Sequence, residues 1–75
     1  MLMQDEKYAK VEFLASWSKG KEYDYITIIS DLQAGDLIVV ETKDSYSVAK
    51  FVRYMDPEEE NFASAYIVDK VNVQK

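Results

Sequence analysis

Hydrophobic and polar residues alternate with a period of two over much of this chain, which is the pattern of half-buried β-strands. The alternation first appears at residues 8–15, where apolar side chains are separated by a lysine and a glutamate. A turn signal follows at residues 18–21, where Gly20 can take a positive φ at little cost. Residues 22–29 are rich in aromatic and β-branched side chains, as strands are. These two strands are predicted to form a hairpin.

The middle of the chain predicts two further strands. Residues 30–36 break the pattern with a compact turn, and the continuous apolar run at residues 37–40 fits a strand buried on both faces. A second turn at residues 43–45 leads into a fourth strand at residues 46–54. Short strands separated by tight turns at about ten-residue spacing are typical of a small sandwich or barrel.

The last third of the chain combines helix and strand signals. Asp56 suits a helix N-cap, Pro57 suits the first helical position, and the glutamates at residues 58–60 suit a first turn. The residues after position 65 have strand composition instead. We therefore expect at most a short helical turn near residues 57–62, then a fifth strand at about residues 63–69 that closes a four-strand meander. The sequence predicts one domain over residues 1–75.

Composition narrows the class of protein. The 75 residues include fourteen Asp and Glu against nine Lys and Arg, with a net charge of −5 and neither His nor Cys. This excludes a disulfide framework, a thiol nucleophile, an imidazole base and an ordinary zinc site. The hydrophobic fraction of 48% is above the range of disordered chains. Apolar runs are too short to span a membrane and the N-terminus does not have a signal-peptide layout, so a cytoplasmic location is expected.

Catalytic, metal and cofactor sites are not indicated. Carboxylates suited by type to acid–base chemistry occur at Asp24, Asp36, Asp44 and Asp56, but no pattern brings two of them together. The two glycines are isolated, so there is no phosphate-binding loop. The acidic stretch at residues 56–60 lacks the spacing of a calcium loop and is interpreted as solvated. We therefore expect a protein that is not an enzyme and needs no cofactor.

Tyrosine is the informative aromatic residue, with six copies beside three Phe and one Trp. Four tyrosines are candidates for partner binding: Tyr23, Tyr25, Tyr46 and Tyr54. The first two lie on the outer face of their strand together with Thr27 if Ile26 and Ile28 face the core. Exposed tyrosines are enriched at interfaces, and packing over the barrel edges is the open alternative. Trp17 is expected to fill the core.

The sign of the charge separates two binding modes. Direct binding of nucleic acid is disfavoured, because phosphates are neutralised by Lys and Arg. A local basic patch would keep that alternative open, and its candidates are Lys7, Lys10, Lys19, Lys21 and Lys50. An acidic protein can instead occupy a basic groove built for DNA or RNA. The candidate acids for such a face are Asp5, Glu6, Asp56, Glu58, Glu59 and Glu60, although a low pI of about 4.5 also serves solubility alone.

A pattern in the second half of the chain resembles a family of short proteins encoded by bacteriophages and prophages. It consists of Leu32, residues 35–40, Thr42 and residues 47–52, and residues 67–71 are similar to the closing segment of that family. The resemblance implies an SH3-like β-barrel, a phage origin and therefore the cytoplasm of a bacterial host. It implies no settled activity, and the acidic stretch of this sequence departs from the family pattern.

Together these features predict a mainly-β fold, a small SH3-like barrel of about five strands. We expect a phage-encoded protein that binds a host nucleic-acid-handling protein, such as a replication factor, a polymerase or a CRISPR nuclease, and inhibits or redirects it. The four tyrosines would anchor the contact, while the acids at Asp56 and residues 58–60 would meet basic residues in a groove of the partner. The alternatives are a small nucleic-acid-binding barrel and a self-associating structural or accessory module. A homodimer is one form that self-association can take in so small a domain without a metal or disulfide staple, and the sequence leaves the oligomeric state open.

Overall fold

The computed structural model describes residues 5–15 and 20–71, and these contain five β-strands and no helix. The strands are β1 (Lys7–Phe13), β2 (Tyr23–Thr27), β3 (Leu37–Glu41), β4 (Tyr46–Tyr54) and β5 (Ile67–Lys70). They form a single sheet in the order β2-β1-β4-β3-β5, which curls into a half-barrel. The predicted mainly-β fold with about five strands is therefore confirmed. Trp17 and Lys19 lie outside the described residues.

The strand order differs from the predicted meander. The β1–β2 and β3–β4 hairpins form, but β4 pairs with β1, so β2 and β3 are not neighbours. The reason lies in the segment between β2 and β3, where Leu32 is buried in the core instead of sitting in an exposed turn. Gly35, with φ of 95°, donates its N–H to the carbonyl of Phe51 at 2.9 Å. The segment thus runs beside β4 and does not reverse directly against β2.

The segment before β5 brings the two edges of the sheet together at one point. The N–H of Ile26 on β2 donates to the carbonyl of Ala65 at 3.0 Å, and Ile26 forms a parallel bridge with Tyr66. Directly after Tyr66, β5 pairs with β3 in antiparallel fashion. The predicted closing role of this segment is therefore correct, although the strand begins at Ile67 and not near residue 63. Where at most a short helical turn was expected, the N–H of Glu59 donates to the carbonyl of Asp56 in a single turn.

One face of the sheet carries the core. Its buried apolar side chains come from every strand and from the β2–β3 segment, and include Ala9, Val11, Tyr25, Leu32, Ile38, Val40, Ala49, Phe51 and Ile67. On β3 only Ile38 and Val40 are buried, and the alternate residues are half-buried. The prediction that this strand is buried on both faces is therefore wrong, because no described element covers the outer face of the half-barrel.

A β-bulge in β4 places two aromatic rings on the same face. Lys10 of β1 pairs with Arg53 and its neighbour Val11 pairs with Phe51, so one extra residue of β4 lies between these pairs. Such a bulge interrupts the alternation of side chains along the strand. Phe51 and Tyr54 consequently both pack against the core, with ring centroids 4.8 Å apart in an edge-to-face arrangement.

The predicted orientation of β2 is wrong. Tyr25 is 8% exposed and Thr27 is fully buried, whereas Ile28 lies past the end of the strand and is 66% exposed. Tyr23 also packs against the core, with its ring 5.1 Å from that of Phe13. Burial of Tyr25 and Thr27 is tolerated because both hydroxyls form hydrogen bonds. The Tyr25 hydroxyl donates to the carbonyl of Glu41 at 2.8 Å, and the Thr27 hydroxyl accepts the N–H of Ile29 at 3.0 Å.

Membrane-spanning helices are absent from the described part of the chain, since none of its segments is both helical and long enough to cross a bilayer.

Candidate functional site

The candidate site is centred on residues 55–66, which link β4 to β5 and are called the crossover loop below. Its start is fixed where the N–H of Met55 donates to the carbonyl of Tyr8 at 2.9 Å. Its end is held by Glu41, whose backbone N–H donates to the carbonyl of Tyr66 and whose carboxylate accepts the Tyr66 N–H at 2.9 Å. A loop without regular structure is thus attached to the sheet at both ends.

The middle of the crossover loop is attached to β2. The N–H of Phe62 donates to Oδ2 of Asp24 at 2.9 Å, and three residues later the carbonyl of Ala65 accepts from the N–H of Ile26. Between them the N–H of Ala63 donates to the side chain of Asn61 at 3.1 Å. The loop therefore has a defined path over the edge of the sheet.

Asp24 is the main electrostatic anchor of this path. Its side chain is 5% exposed, and its Oδ1 lies 2.6 Å from Nζ of Lys10 on β1. Burial alone would raise the pKa of this carboxyl, but hydrogen bonds from Lys10 and the Phe62 N–H, with the charges of Lys10 and Arg53, together lower the pKa below its ordinary value. The contacts that attach Asp24 to β1 and to the crossover loop therefore also favour its ionised form.

The four acids that the sequence singled out lie together in the first turn of the crossover loop. Asp56, Glu58 and Glu60 are exposed, as expected of a partner-binding face. Glu59 is half-buried, and its carboxylate lies 3.0 Å from Nη1 of Arg53 on β4. The hydrogen bond that Arg53 donates to Glu59 is the largest cause of the raised pKa of Arg53. Glu59 thus holds the turn against the sheet, and the other three acids face solvent.

Two open clefts flank the crossover loop. The first, of about 500 Å³, is lined by charged residues that include Glu22 and Glu60 and by the rings of Tyr23 and Phe62. The second, of about 710 Å³, lies toward the β3–β4 turn and includes Tyr46 in its lining. Ser64 and Ala65 line both clefts, so the loop forms the ridge between them.

The four predicted tyrosine anchors do not form a common surface. Tyr23 and Tyr25 face the core, as described above, and this corrects their predicted role as exposed anchors. Tyr54 is half-buried. Its hydroxyl donates to the carbonyl of Ile29 at 2.5 Å and accepts the N–H of Leu32 at 3.0 Å. Tyr46 alone of the four is exposed, at 63%, and remains available to a partner.

Phe62 is the exposed aromatic residue that the sequence did not single out. Its side chain is 82% exposed, the highest value among the large hydrophobic residues described. Tyr66, also partly exposed, donates its hydroxyl to Glu6 at 3.0 Å. One feature of the sequence could have identified Phe62 as exposed. It follows an acidic run, and that run contains no apolar residue at strand or helix spacing from it.

The predicted basic patch is weakened by ion pairing. Among the described residues four cations are paired across or beside the sheet: Lys10 with Asp24, Lys50 with Glu12, Arg53 with Glu59, and Lys70 with Asp36. Two of the predicted patch residues are thus already neutralised by carboxylates. The described surface consequently keeps an excess of unpaired negative charge.

Metal chemistry finds no support in residues 5–15 and 20–71, where no three acidic side chains are grouped to hold an ion. No known protein family, curated protein or solved structure matches this chain. Its function is therefore inferred from the geometry and charge of the crossover loop.

Proposed function

We propose that this protein acts by binding another protein through the crossover loop, and that it performs no chemistry of its own. The observation that carries the proposal is the exposed ring of Phe62 on a backbone fixed by the Asp24 carboxylate at 2.9 Å. Covering a phenyl ring is worth about 1.5–3 kcal/mol to a complex. A loop that is already held in place also loses less conformational entropy when a partner binds it.

The proposed partner presents a basic surface. The exposed carboxylates of Asp56, Glu58 and Glu60 lie two to six positions before Phe62, while cations of the sheet are engaged in ion pairs. Complementary charge speeds encounter and disfavours acidic partners, and an apolar anchor supplies the buried contact. An acidic rim beside an aromatic anchor is therefore suited to a basic groove with an apolar pocket.

The more specific proposal is a phage-encoded inhibitor or modulator that works in the cytoplasm of a bacterial host. The resemblance in residues 32–52 supports the phage origin and an SH3-like barrel, and the net charge of −5 supports a target that normally handles nucleic acid. Such targets carry basic grooves that bind phosphates. A replication factor, a polymerase or a CRISPR nuclease fits this description, with carboxylates occupying the places of phosphates.

The anchoring residues of this proposal differ from those predicted from sequence. Phe62 takes the central role, and Tyr46 keeps a peripheral one at the second cleft. The proposal does not use Tyr23, Tyr25 or Tyr54 as exposed anchors, because their rings pack against the core. Glu59 acts through its ion pair with Arg53 and not through direct contact.

The test is affinity capture from bacterial lysate, followed by titration of the purified captured protein. The native chain is compared with a Phe62→Ala variant and with a double variant carrying Asp56→Asn and Glu58→Gln. We expect capture of a nucleic-acid-handling protein and at least about tenfold weaker binding by each variant, equivalent to about 1.4 kcal/mol. The partner's own nucleic acid should compete with the native chain.

The matched control carries Asp31→Asn and Asp69→Asn, which remove the same charge from exposed positions outside the crossover loop and both clefts. It should bind within about twofold of the native chain, since distant exposed charges are screened. Equal loss in the control would reduce the effect to net charge. Unchanged binding by Phe62→Ala would contradict the proposed anchor.

A further inference from the structure

The first cleft combines negative charge with aromatic walls. Its volume of about 500 Å³ lies within the range of small-ligand sites, so one long side chain can enter it. We propose that this cleft receives an arginine side chain of the partner. The inference rests on the proposed function and names the group on the partner that the protein recognises.

Two carboxylates of the cleft are free to bind a cation. Glu22 and Glu60 are exposed, and neither has an ion-pair or hydrogen-bond partner within residues 5–15 and 20–71. The remaining charges of the lining, Lys10 and Asp24, neutralise each other at 2.6 Å. The lining of the cleft therefore has an excess of two negative charges, although the charge of Glu22 also interacts with Arg53 outside the cleft.

The aromatic residues distinguish arginine from lysine as the occupant. Phe62 contributes a largely exposed ring to the cleft. Tyr23, half-buried against the core, also lines the cleft, and its ring centroid lies 5.1 Å from that of Phe13. A guanidinium is planar and weakly hydrated, so it stacks on aromatic faces while its N–H groups bind carboxylates. An ammonium can use the carboxylates but makes poorer use of the rings.

Arg53 shows how this region already accommodates a guanidinium. It lies outside the lining of the cleft and binds Glu59 at 3.0 Å. After the Glu59 hydrogen bond, the charges of Glu22 and Asp56 also favour its protonated form and contribute to a raised pKa. Glu22 thus interacts electrostatically with Arg53 and also lines the cleft.

Charge complementarity therefore selects the occupant. A second guanidinium entering the cleft would meet the carboxylates of Glu22 and Glu60 and would stack on the ring of Phe62. Arginine is also enriched among the residues that dominate protein interfaces. Basic grooves that bind phosphates contain such arginines.

The test is fluorescence anisotropy with a labelled hexa-arginine peptide and the full chain at low salt. The native chain should bind saturably, and a variant with Glu22→Gln and Glu60→Gln should bind at least about tenfold more weakly, because two carboxylate contacts are lost. The control with Asp31→Asn and Asp69→Asn removes the same charge outside both clefts, and its affinity should stay within about twofold of the native value. Phe62→Ala should weaken binding of the arginine peptide by about threefold or more.

Three results would overturn the assignment: equal weakening in both double variants, no saturable binding, or equal affinity for a hexalysine peptide. The first would reduce binding to net charge, and the last would remove the role of the rings. A protein partner still captured at full affinity by the Glu22→Gln, Glu60→Gln variant would overturn the arginine site and leave the proposed function intact. Arginine-peptide binding without capture of any protein partner would instead contradict the proposed function alone.

Discussion

The carboxylate of Asp24 binds the backbone N–H of Phe62, which lies 38 positions later in the chain, at a distance of 2.9 Å. The same carboxylate binds Nζ of Lys10 through its other oxygen at 2.6 Å. One side chain therefore connects the β1–β2 hairpin to the crossover loop. Because that loop carries the exposed ring, the stability of the sheet edge and the geometry of the candidate site depend on the same residue.

Replacing Asp24 with Asn should destabilise the protein by about 1–3 kcal/mol, the usual cost of breaking charge-assisted hydrogen bonds at a buried group. Asn retains an acceptor but loses the ion pair with Lys10. Urea unfolding measures the change, and amide hydrogen exchange at Phe62 should accelerate more than exchange at the β3–β4 hairpin. Asp44→Asn, at an exposed turn, should change stability by less than about 0.5 kcal/mol. Equal effects of the two substitutions would contradict the anchoring role.

Acid should destabilise the native protein in part through the same group. The pKa of Asp24 is lower in the folded protein than its ordinary value of 3.8, so the folded state binds this proton less readily than the unfolded state. The resulting stability is complete above that ordinary value and is lost as the pH falls through the lower folded pKa. Asp36 behaves in the same direction, because the N–H of Gln33 and then Lys70 lower its pKa.

The free energy of unfolding, measured between about pH 6 and about pH 2, should therefore fall less steeply with decreasing pH for Asp24→Asn than for the native chain. For the double variant with Asp24→Asn and Asp36→Asn, the free energy of unfolding should depend on pH still less. Parallel curves for the native chain and Asp24→Asn would show that the Asp24 carboxylate does not contribute to acid unfolding.

The strands were predictable because alternation and turn residues act locally. The fourth strand was expected at residues 46–54, and β4 spans Tyr46–Tyr54. The strand order was not predictable, because it depends on Leu32 entering the core and directing the β2–β3 segment along β4. The strand order is therefore determined by tertiary packing, and a local pattern of hydrophobic and polar residues does not predict such packing.

The error in β2 has a physical cause that the sequence did contain. Hydrophobicity favours Ile26 and Ile28 over tyrosine as core residues, but Asp24 shares the face of Ile26 on a strand. Burying the isoleucines in the core would have placed this charge among apolar side chains, at a high cost. The structure instead buries the tyrosines and lets Asp24 pair with Lys10 on the other face. The position of Phe62 depends in turn on Asp24, so the candidate site could not be predicted before this orientation was known.

The hydroxyl of Tyr54 should contribute more to stability than that of Tyr46. Tyr54→Phe leaves the N–H of Leu32 and the carbonyl of Ile29 without their partner, and we expect a loss of about 1–3 kcal/mol. Tyr46→Phe removes an exposed hydroxyl and should cost less than about 0.5 kcal/mol. Thermal and urea unfolding of both variants provide the comparison. Similar stabilities would mean that Tyr54 is not the structural residue described above.

Direct binding to nucleic acid should not be detectable. Affinity for phosphates comes from Lys and Arg that release counterions, and four cations of the sheet are paired with carboxylates. We expect no anisotropy change with labelled single-stranded or double-stranded oligonucleotides even at about 50 mM salt, where such binding is strongest. A variant with Glu12→Gln frees Lys50 from its ion pair and serves as a sensitive control for residual affinity. Saturable binding by the native chain that weakens steeply as salt rises would favour a nucleic-acid-binding barrel over the protein-binding function proposed here.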